Sequence, residues 1–426
     1  MTSVPGLGNI PAEWASERAR WLLHRQRRDV RPSDGIVTAF RDGQVTLRDN
    51  RRIEGFTNAV HEIGYQGIRV GDLVVHGMDG FAGAIGVSDS DGKSSPVVHA
   101  YTPSTSSDVR FLAYALRTMA ISGYVGTLAK GIRERSTAFD ASTLADVSLP
   151  VPPLEEQRRI ADFLDAETAR ISKLVAAKDK VSDLIDERRV ALTSQLCLKG
   201  LDSNTPMRNS GIDPLGSVPA HWTVTRNKNI LREITDLSVD GSEELLTVSH
   251  LTGVTPRSEK TVYMFEAESV VGYKICRPGD LVINTLWAWM GALGASNYDG
   301  IVSPAYGVYR FTSDDGVPEY FDLLYRTPEY VCEMTRFSKG VWSSRLRLYP
   351  DAFLALGVAV PPRNEQRAIV QAVEREVSPG LKMQEMIRTS NALLAERRQA
   401  LITAAVTGQF DVSTASGRNV TDGVHP

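Results

Sequence analysis

The sequence predicts a mixed α/β (α+β) chain with a pseudo-twofold internal repeat, two globular domains joined by a long antiparallel pair of helices. Three observations predict it. Residues recur at one constant spacing along most of the chain. Each copy opens with strand and turn signals around an apolar helix, and each closes in a long amphipathic helix that starts at a Pro-Pro pair.

The recurrence is the strongest signal. Leu7, Gly8, Pro11, Ala12 and Trp14 return as Leu215, Gly216, Pro219, Ala220 and Trp222, an offset of 208. Arg69, Gly71, Asp72, Leu73 and Val74 return as Arg277, Gly279, Asp280, Leu281 and Val282. Gly83, Ala84, Gly86, Gly92, Ser95 and Pro96 return as Gly291, Ala292, Gly294, Gly300, Ser303 and Pro304. One inserted residue then shifts the offset to 209, so that Pro152-Pro153 with Glu156-Gln157-Arg158 matches Pro361-Pro362 with Glu365-Gln366-Arg367. Glu187-Arg188-Arg189 likewise matches Glu396-Arg397-Arg398.

In chain order, Gly71-Asp72-Leu73-Val74 and Gly279-Asp280-Leu281-Val282-Ile283 each read as a turn feeding a buried strand. A helix is expected over Phe111–Leu128 and again over Tyr320–Phe337. Pro152-Pro153 can stand just before a helix or at its first position, where a missing N–H costs nothing, and Glu155-Glu156 suits the positive end of the dipole. From there to about Lys199 no proline or glycine intervenes, and Ile160, Leu164, Ile171, Leu174, Val181, Ile185 and Leu192 form a heptad-like seam. The second copy keeps Ile369, Val373, Met383, Ile387, Leu394 and Leu401, but Pro379-Gly380 is expected to break or kink it. One such stripe alone reads as a helix packed on its own domain; two in one chain suit antiparallel pairing with each other. The Ser-, Thr- and Gly-rich tail at 411–426 is expected to be disordered.

At 426 residues, with 42% hydrophobic and 23% charged residues, the chain has the composition of two or three folded domains. Three distant cysteines argue against a disulfide scaffold or zinc module and suit a reducing cytoplasm. Met1–Pro11 has no apolar signal region, and Phe111–Ala129, which carries Arg117, Gly123 and Gly126, reads as a core helix, not a membrane span. A net charge of −3 means that any DNA-binding surface is local or shared with a partner. No phosphate-binding loop, adenine-methylation signature, glycine-rich cofactor loop or metal-type histidine pair is present, so neither a catalytic residue nor a metal site is expected. Asp72 and Asp280 are explained by side-chain bonds to their own turns.

The opening Leu-Gly-x-Ile/Val-Pro-Ala-x-Trp, the linker Leu198-Lys199-Gly200-Leu201-Asp202 and the closing Pro-Pro-x-x-Glu-Gln-Arg with Glu-Arg-Arg-x-Ala-Leu occur in an order that resembles the specificity subunits of type I restriction–modification systems. The resemblance covers about residues 5–412. It implies a non-catalytic reader of double-stranded DNA, with target-recognition domains at 1–152 and 214–361. The conserved helical regions would be 153–199 and 362–410, with a linker at 200–213. Each domain would read half of a bipartite, asymmetric site. The paired helices, a coiled coil, would act as a ruler and dock two methylation subunits, joined by two restriction subunits. S-adenosylmethionine, ATP and Mg would belong to those partners, and no cofactor to this chain.

Candidate DNA contacts are basic residues after each domain helix (Lys130, Arg133 and Arg135; Lys339, Arg345 and Arg347) and Asn284, Thr285 and Trp287 in a segment where the copies diverge. The residues alone leave open whether the basic groups touch DNA or only line solvated loops. Arg18, Arg20, Arg25, Arg27 and Arg28 read as a solvated helix face. The competing reading of the whole chain is a coiled-coil scaffold whose globular domains bind protein.

Overall fold

The computed structural model describes residues 2–51, 62–129, 138–260, 269–340, 346–409 and 411–412. The chain divides into two compact units, Met1–Lys178 with Arg388–Pro426, and Asp179–Ile387. The first unit is therefore built from both ends of the chain. The division falls inside both long helices, Leu154–Lys199 and Arg363–Val406.

In the first unit a four-stranded antiparallel sheet has the order Leu23–Gln26, Val98–Pro103, Leu73–His76, Ile85–Val87. Its central strand is covered on both faces, which is why Leu73-Val74-Val75 is a continuous apolar run rather than an alternating one. Leu73, Val75 and Tyr101 pack with Phe111, Leu112 and Leu116 of the helix Val109–Ile121. Val74, Val98 and Ala100 pack on the other side with Val37, Val45 and Ile68.

The second unit repeats the plan. Its sheet runs Leu231–Glu233, Tyr306–Phe311, Leu281–Asn284, Leu293–Ala295. Leu281, Ile283 and Tyr309 face a core with Tyr320, Phe321 and Tyr325, while Val282 and Val308 face Leu246, Val248 and Val302. Every ladder between named strands is antiparallel, so both domains are α+β rather than α/β.

Each expected domain helix is two helices. Gly123, at φ 85°, ends the first copy's helix at Ile121 and restarts it as Tyr124–Leu128. Thr327 in extended backbone, followed by Pro328, separates Pro318–Tyr325 from Pro328–Phe337. The arginine cluster is not a helix face. Arg18 lies in the strand Ala15–Arg18, Arg20 in a single helical turn and Arg25 in the strand Leu23–Gln26.

Within each unit the two long helices contribute an antiparallel pair. In the first, Lys178 bonds Ser390, Arg398 lies 3.5 Å from the Ser172 hydroxyl, and Ile171 packs on Leu401. In the second, the Gln384 amide donates to the Ser182 carbonyl at 3.0 Å and to Asp186 at 2.9 Å. The expected break at Pro379-Gly380 is absent, since Arg363–Val406 is continuous through Pro379. Proline removes one helix bond, at a cost of about 3 kcal/mol. Gly380 brings a compensating close approach, because a Cβ there would lie 2.9 Å from Cγ2 of Ile185. The apolar seam is buried at Ile160, Leu164, Ile369 and Val373 and, further along, at Ile171 and Ile387, but Leu174, Val181 and Met383 are exposed.

The helix ends explain the repeated motifs. In the first unit Ile402, Ala405 and Val406 share a core with Val4, Ile10 and Trp14; in the second, Cys197 and Leu198 share one with Leu215, Val218 and Trp222. The helices stop at Gly408 (φ 66°) and Gly200 (φ 78°), left-handed positions that suit glycine. A Cβ on Gly408 would sit 3.0 Å from Cζ2 of Trp14, and one on Gly200 3.5 Å from Cζ2 of Trp222.

The glutamine of each Glu-Gln-Arg motif is fully buried. Gln157 accepts from the Asp108 amide at 2.9 Å and donates to the Pro152 and Ser106 carbonyls. Gln366 accepts from the Val317 amide at 2.8 Å and donates to the Pro361 and Asp315 carbonyls. One amide thus ties the first turn of a long helix to the start of its domain helix, twice over. Gln366→Leu leaves these groups buried without partners and is expected to cost about 3 kcal/mol. That corresponds to a fall of roughly 6–12 °C in thermal unfolding of its unit, measurable by calorimetry; an unchanged transition would disprove the anchoring role.

Candidate nucleic-acid interface

The divergent segments both lie where the central strand of a sheet ends. In the second unit the strand Leu281–Asn284 runs into a one-turn 3-10 helix, Ala288–Met290, closed by Gly291. The turn is held by its own backbone. The Leu286 amide donates to the Asn284 side chain at 3.3 Å, the Trp287 amide to the Asn284 carbonyl at 3.0 Å, and the Met290 amide to the Trp287 carbonyl at 2.9 Å. Asn284 also donates to the Tyr306 hydroxyl at 3.3 Å, and the Thr285 hydroxyl donates to the Ala305 carbonyl at 2.7 Å. Both residues are buried, so their polar groups serve the turn. Trp287 is half-exposed and stacks on Trp289 at 6.0 Å and 18°.

The segment after the domain helix returns to this turn. Lys339 and Arg347 form a two-bond backbone bridge at 2.9 Å, and the next amide, of Leu348, donates to the Thr285 carbonyl at 2.9 Å. Lys339, Arg347, Asn284 and Thr285 are thereby gathered into one region. The Lys339 side chain is exposed, and the Arg347 guanidinium lies 5.3 Å from the centre of the Tyr349 ring. Arg345 lies outside the described residues, as do Lys130, Arg133 and Arg135. The equivalent return is present in the first unit, where the Phe139 amide donates to the Gly77 carbonyl at 2.8 Å.

The first unit offers different chemistry at the same strand end. His76 Nδ1 accepts from the Asp79 amide at 3.0 Å, and Asp79 in turn accepts from Arg41 at 2.8 Å. On the neighbouring strand Arg25 meets His99 Nδ1 at 3.0 Å. Burial, the dominant cause, lowers both histidine pKa values, with Arg41 acting on His76 and Arg25 on His99 in the same sense. Two neutral rings with Nδ1 engaged as acceptor carry their proton on Nε2, as donors. Donors of this kind match the acceptor-rich edge of guanine.

The other arginines of the opening cluster are mostly committed. Arg18 and Arg20 pair with Asp146, and Arg28 binds Asp72 through two bonds, at 2.5 and 3.1 Å. Asp72 and Asp280 accept from the backbone of Arg69 and Arg277, as their turns require. The second-unit counterpart of the Arg28 bond comes from Arg310, at 2.7 and 2.8 Å to Asp280.

Beside the Trp287 turn the second unit holds a cleft of about 760 Å³ whose walls include Tyr273, Tyr306, Trp287, His250 and Arg257. Among the described residues no group of His, Cys, Asp or Glu is placed to hold a metal, and no helix is long and apolar enough to cross a membrane.

Residues 82–180 match the model of the type I restriction modification DNA specificity domain. That stretch makes the chain similar to the specificity subunits of type I restriction–modification systems. It is 23% identical over 292 residues to the type I restriction enzyme EcoBI specificity subunit of Escherichia coli, a match covering 64% of this chain. The chain spans 60% of the length of that relative. A chain solved in work on complex assembly and conformational transition of the type I R-M system is 17% identical, with a TM-score of 0.66. The match covers 94% of this chain and 99% of that one, and shows a shared fold. The HsdS subunit from Thermoanaerobacter tengcongensis is 18% identical over 94% of this chain and 98% of its own, with a TM-score of 0.47.

Beside that similarity the informative contrast lies between the two copies. Residues that hold the frame recur in kind: Trp14 and Trp222, Gln157 and Gln366, Asp72 and Asp280. Residues at the strand end do not, since His76, Gly77 and Asp79 stand where the second copy has Asn284, Thr285 and Trp287. The sequence singled out the second set. The segment 76–82 is divergent in the sequence too, but the meeting of Arg25 with His99 beside His76 crosses strands and leaves no local motif; Gln157 and Gln366 had the repeated Glu-Gln-Arg as their available signal.

Proposed function

We propose that this chain is the non-catalytic DNA reader of a type I restriction–modification complex, in which two target-recognition domains joined by an antiparallel coiled coil read a bipartite, asymmetric site. The single observation that carries the reading is one frame built twice with unlike side chains at the same strand end. Identical frames give two equivalent footholds on a duplex, and unlike rims give two different half-sites. Similarity to type I specificity subunits supports the restriction–modification setting.

The long helices serve as ruler and docking surface for two methylation subunits, with two restriction subunits completing the complex. Exposed apolar side chains on them support docking, among them Leu184, Val190, Leu381, Met386 and Leu393. S-adenosylmethionine, ATP and Mg belong to the partner subunits. The chain works in the cytoplasm, a setting that its three free cysteines suit. Lys339 and Arg347, and with them Lys130, Arg133, Arg135 and Arg345, supply phosphate or base-edge contacts next to the strand-end rims.

Deleting the gene from its host tests the role. One adenine-methylation motif is expected to vanish from the genome while others persist; a methylation pattern that does not change refutes it.

A further inference from the structure

We propose that the second unit carries a wedge and a receiving cleft for one nucleobase, so that it reads a base pair of its half-site by opening it. The inference rests on the DNA-reading function above. Leu286 and Trp287 project from the strand-end turn, 44% and 49% exposed, and are large apolar side chains on a surface segment. They are held stiffly. The backbone bonds of the turn fix Trp287, Trp289 stacks behind it, and the Trp289 indole N–H donates to the Leu286 carbonyl at 3.0 Å. A preformed apolar wedge of this kind unstacks a base step without first paying to order itself.

The space beside the wedge is large enough to receive what the wedge would displace. The 760 Å³ cleft shares Leu286 and Trp287 as its edge, so wedge and cleft are one construction. Tyr273 and Tyr306 supply further aromatic walls, and base–aromatic stacking suits any nucleobase. Arg257 and His250 supply polar groups for a base edge or its phosphate. Asn284 is occupied in positioning the Tyr306 hydroxyl and the Leu286 amide, so it shapes the cleft instead of reading the base. The first unit has Met78 and Asp79 where the second has Leu286 and Trp287, and Asp79 is bound to Arg41. A carboxylate at that position disfavours insertion into a base stack, so this wedge belongs to the second unit alone.

The test is a mismatch scan with the full chain and its methylation subunits, on DNA carrying the motif found in the host. Opening a pair costs least when the pair is already broken. At one position of the second unit's half-site other than the methylated adenine and its partner, a mismatch or abasic nucleotide is expected to tighten binding about tenfold, and no such position of the other half-site should behave so. Trp287→Ala is expected to weaken binding to fully paired DNA about tenfold and to the mismatched DNA by much less. Specific binding that every mismatch outside the methylated adenines weakens would overturn the wedge and cleft while leaving the reader role intact. Absence of any specific binding would overturn both.

Discussion

Exchanging residues 1–152 for the corresponding domain of another specificity subunit is expected to change one half of the methylated motif completely and leave the other half unaltered. The expectation follows from how each reading surface is supported. The rim of the first unit hangs on strands whose two faces pack inside that unit, against Phe111 and Leu116 on one side and Val37 and Val45 on the other. The second rim stands on its own two cores. If the rim side chains make base contacts, worth about 1–3 kcal/mol each, replacing one set abolishes recognition of that half-site. The exchanged segment also packs on the returning end of the second long helix, through Trp14 with Ile402 and Val406. The donor domain therefore needs a tryptophan at that position and a domain-helix start that the retained Gln157 can bond, as it bonds the Asp108 amide and the Ser106 carbonyl. Methylome sequencing reads the outcome, and a change in both halves would contradict independent reading.

The second large effect concerns spacing. Four residues inserted in each long helix, after Lys178 and before Arg388, lengthen the pair by about 6 Å at 1.5 Å per residue. These points are matched across the pair, because Lys178 bonds Ser390. If the helices are the ruler, the nonspecific spacer grows by about two base pairs at 3.4 Å each. Four residues also leave a rotation of roughly 40° beyond one full turn, close to the twist of a single base-pair step, so the duplex can absorb it. An unchanged spacer in a functional variant would remove the ruler from the account.

Much of the frame was legible because it is written twice. The Gly-Asp turn, the apolar strand after it and the Pro-Pro helix start all occur where the repeat places them. Illegible features depend on contacts distant in sequence. Pro379 was expected to interrupt its helix, yet neighbouring packing outweighs the lost bond, a balance that no local rule weighs. Arg28 and Arg310 serve equivalent aspartates from non-equivalent positions, so aligning the copies conceals the match. Arg18, Arg20, Arg25, Arg27 and Arg28 read as a helix face, but the chain there is mostly strand, with Leu22 and Leu23 buried. At the candidate site, Asn284 and Thr285 were legible as special, although their polar groups turn inward to build the loop that presents Trp287. His99, Tyr273 and Tyr306 reach the rims only through strand pairing or loop packing.

The form of the methylation motif that depends on this gene tests the central claim most directly. Single-molecule sequencing of the host genome, with and without the gene, is predicted to recover two different short half-sites separated by a spacer of fixed length. A gene-dependent motif that is continuous, or whose two halves are the same sequence, would contradict a pair of unlike readers on one frame.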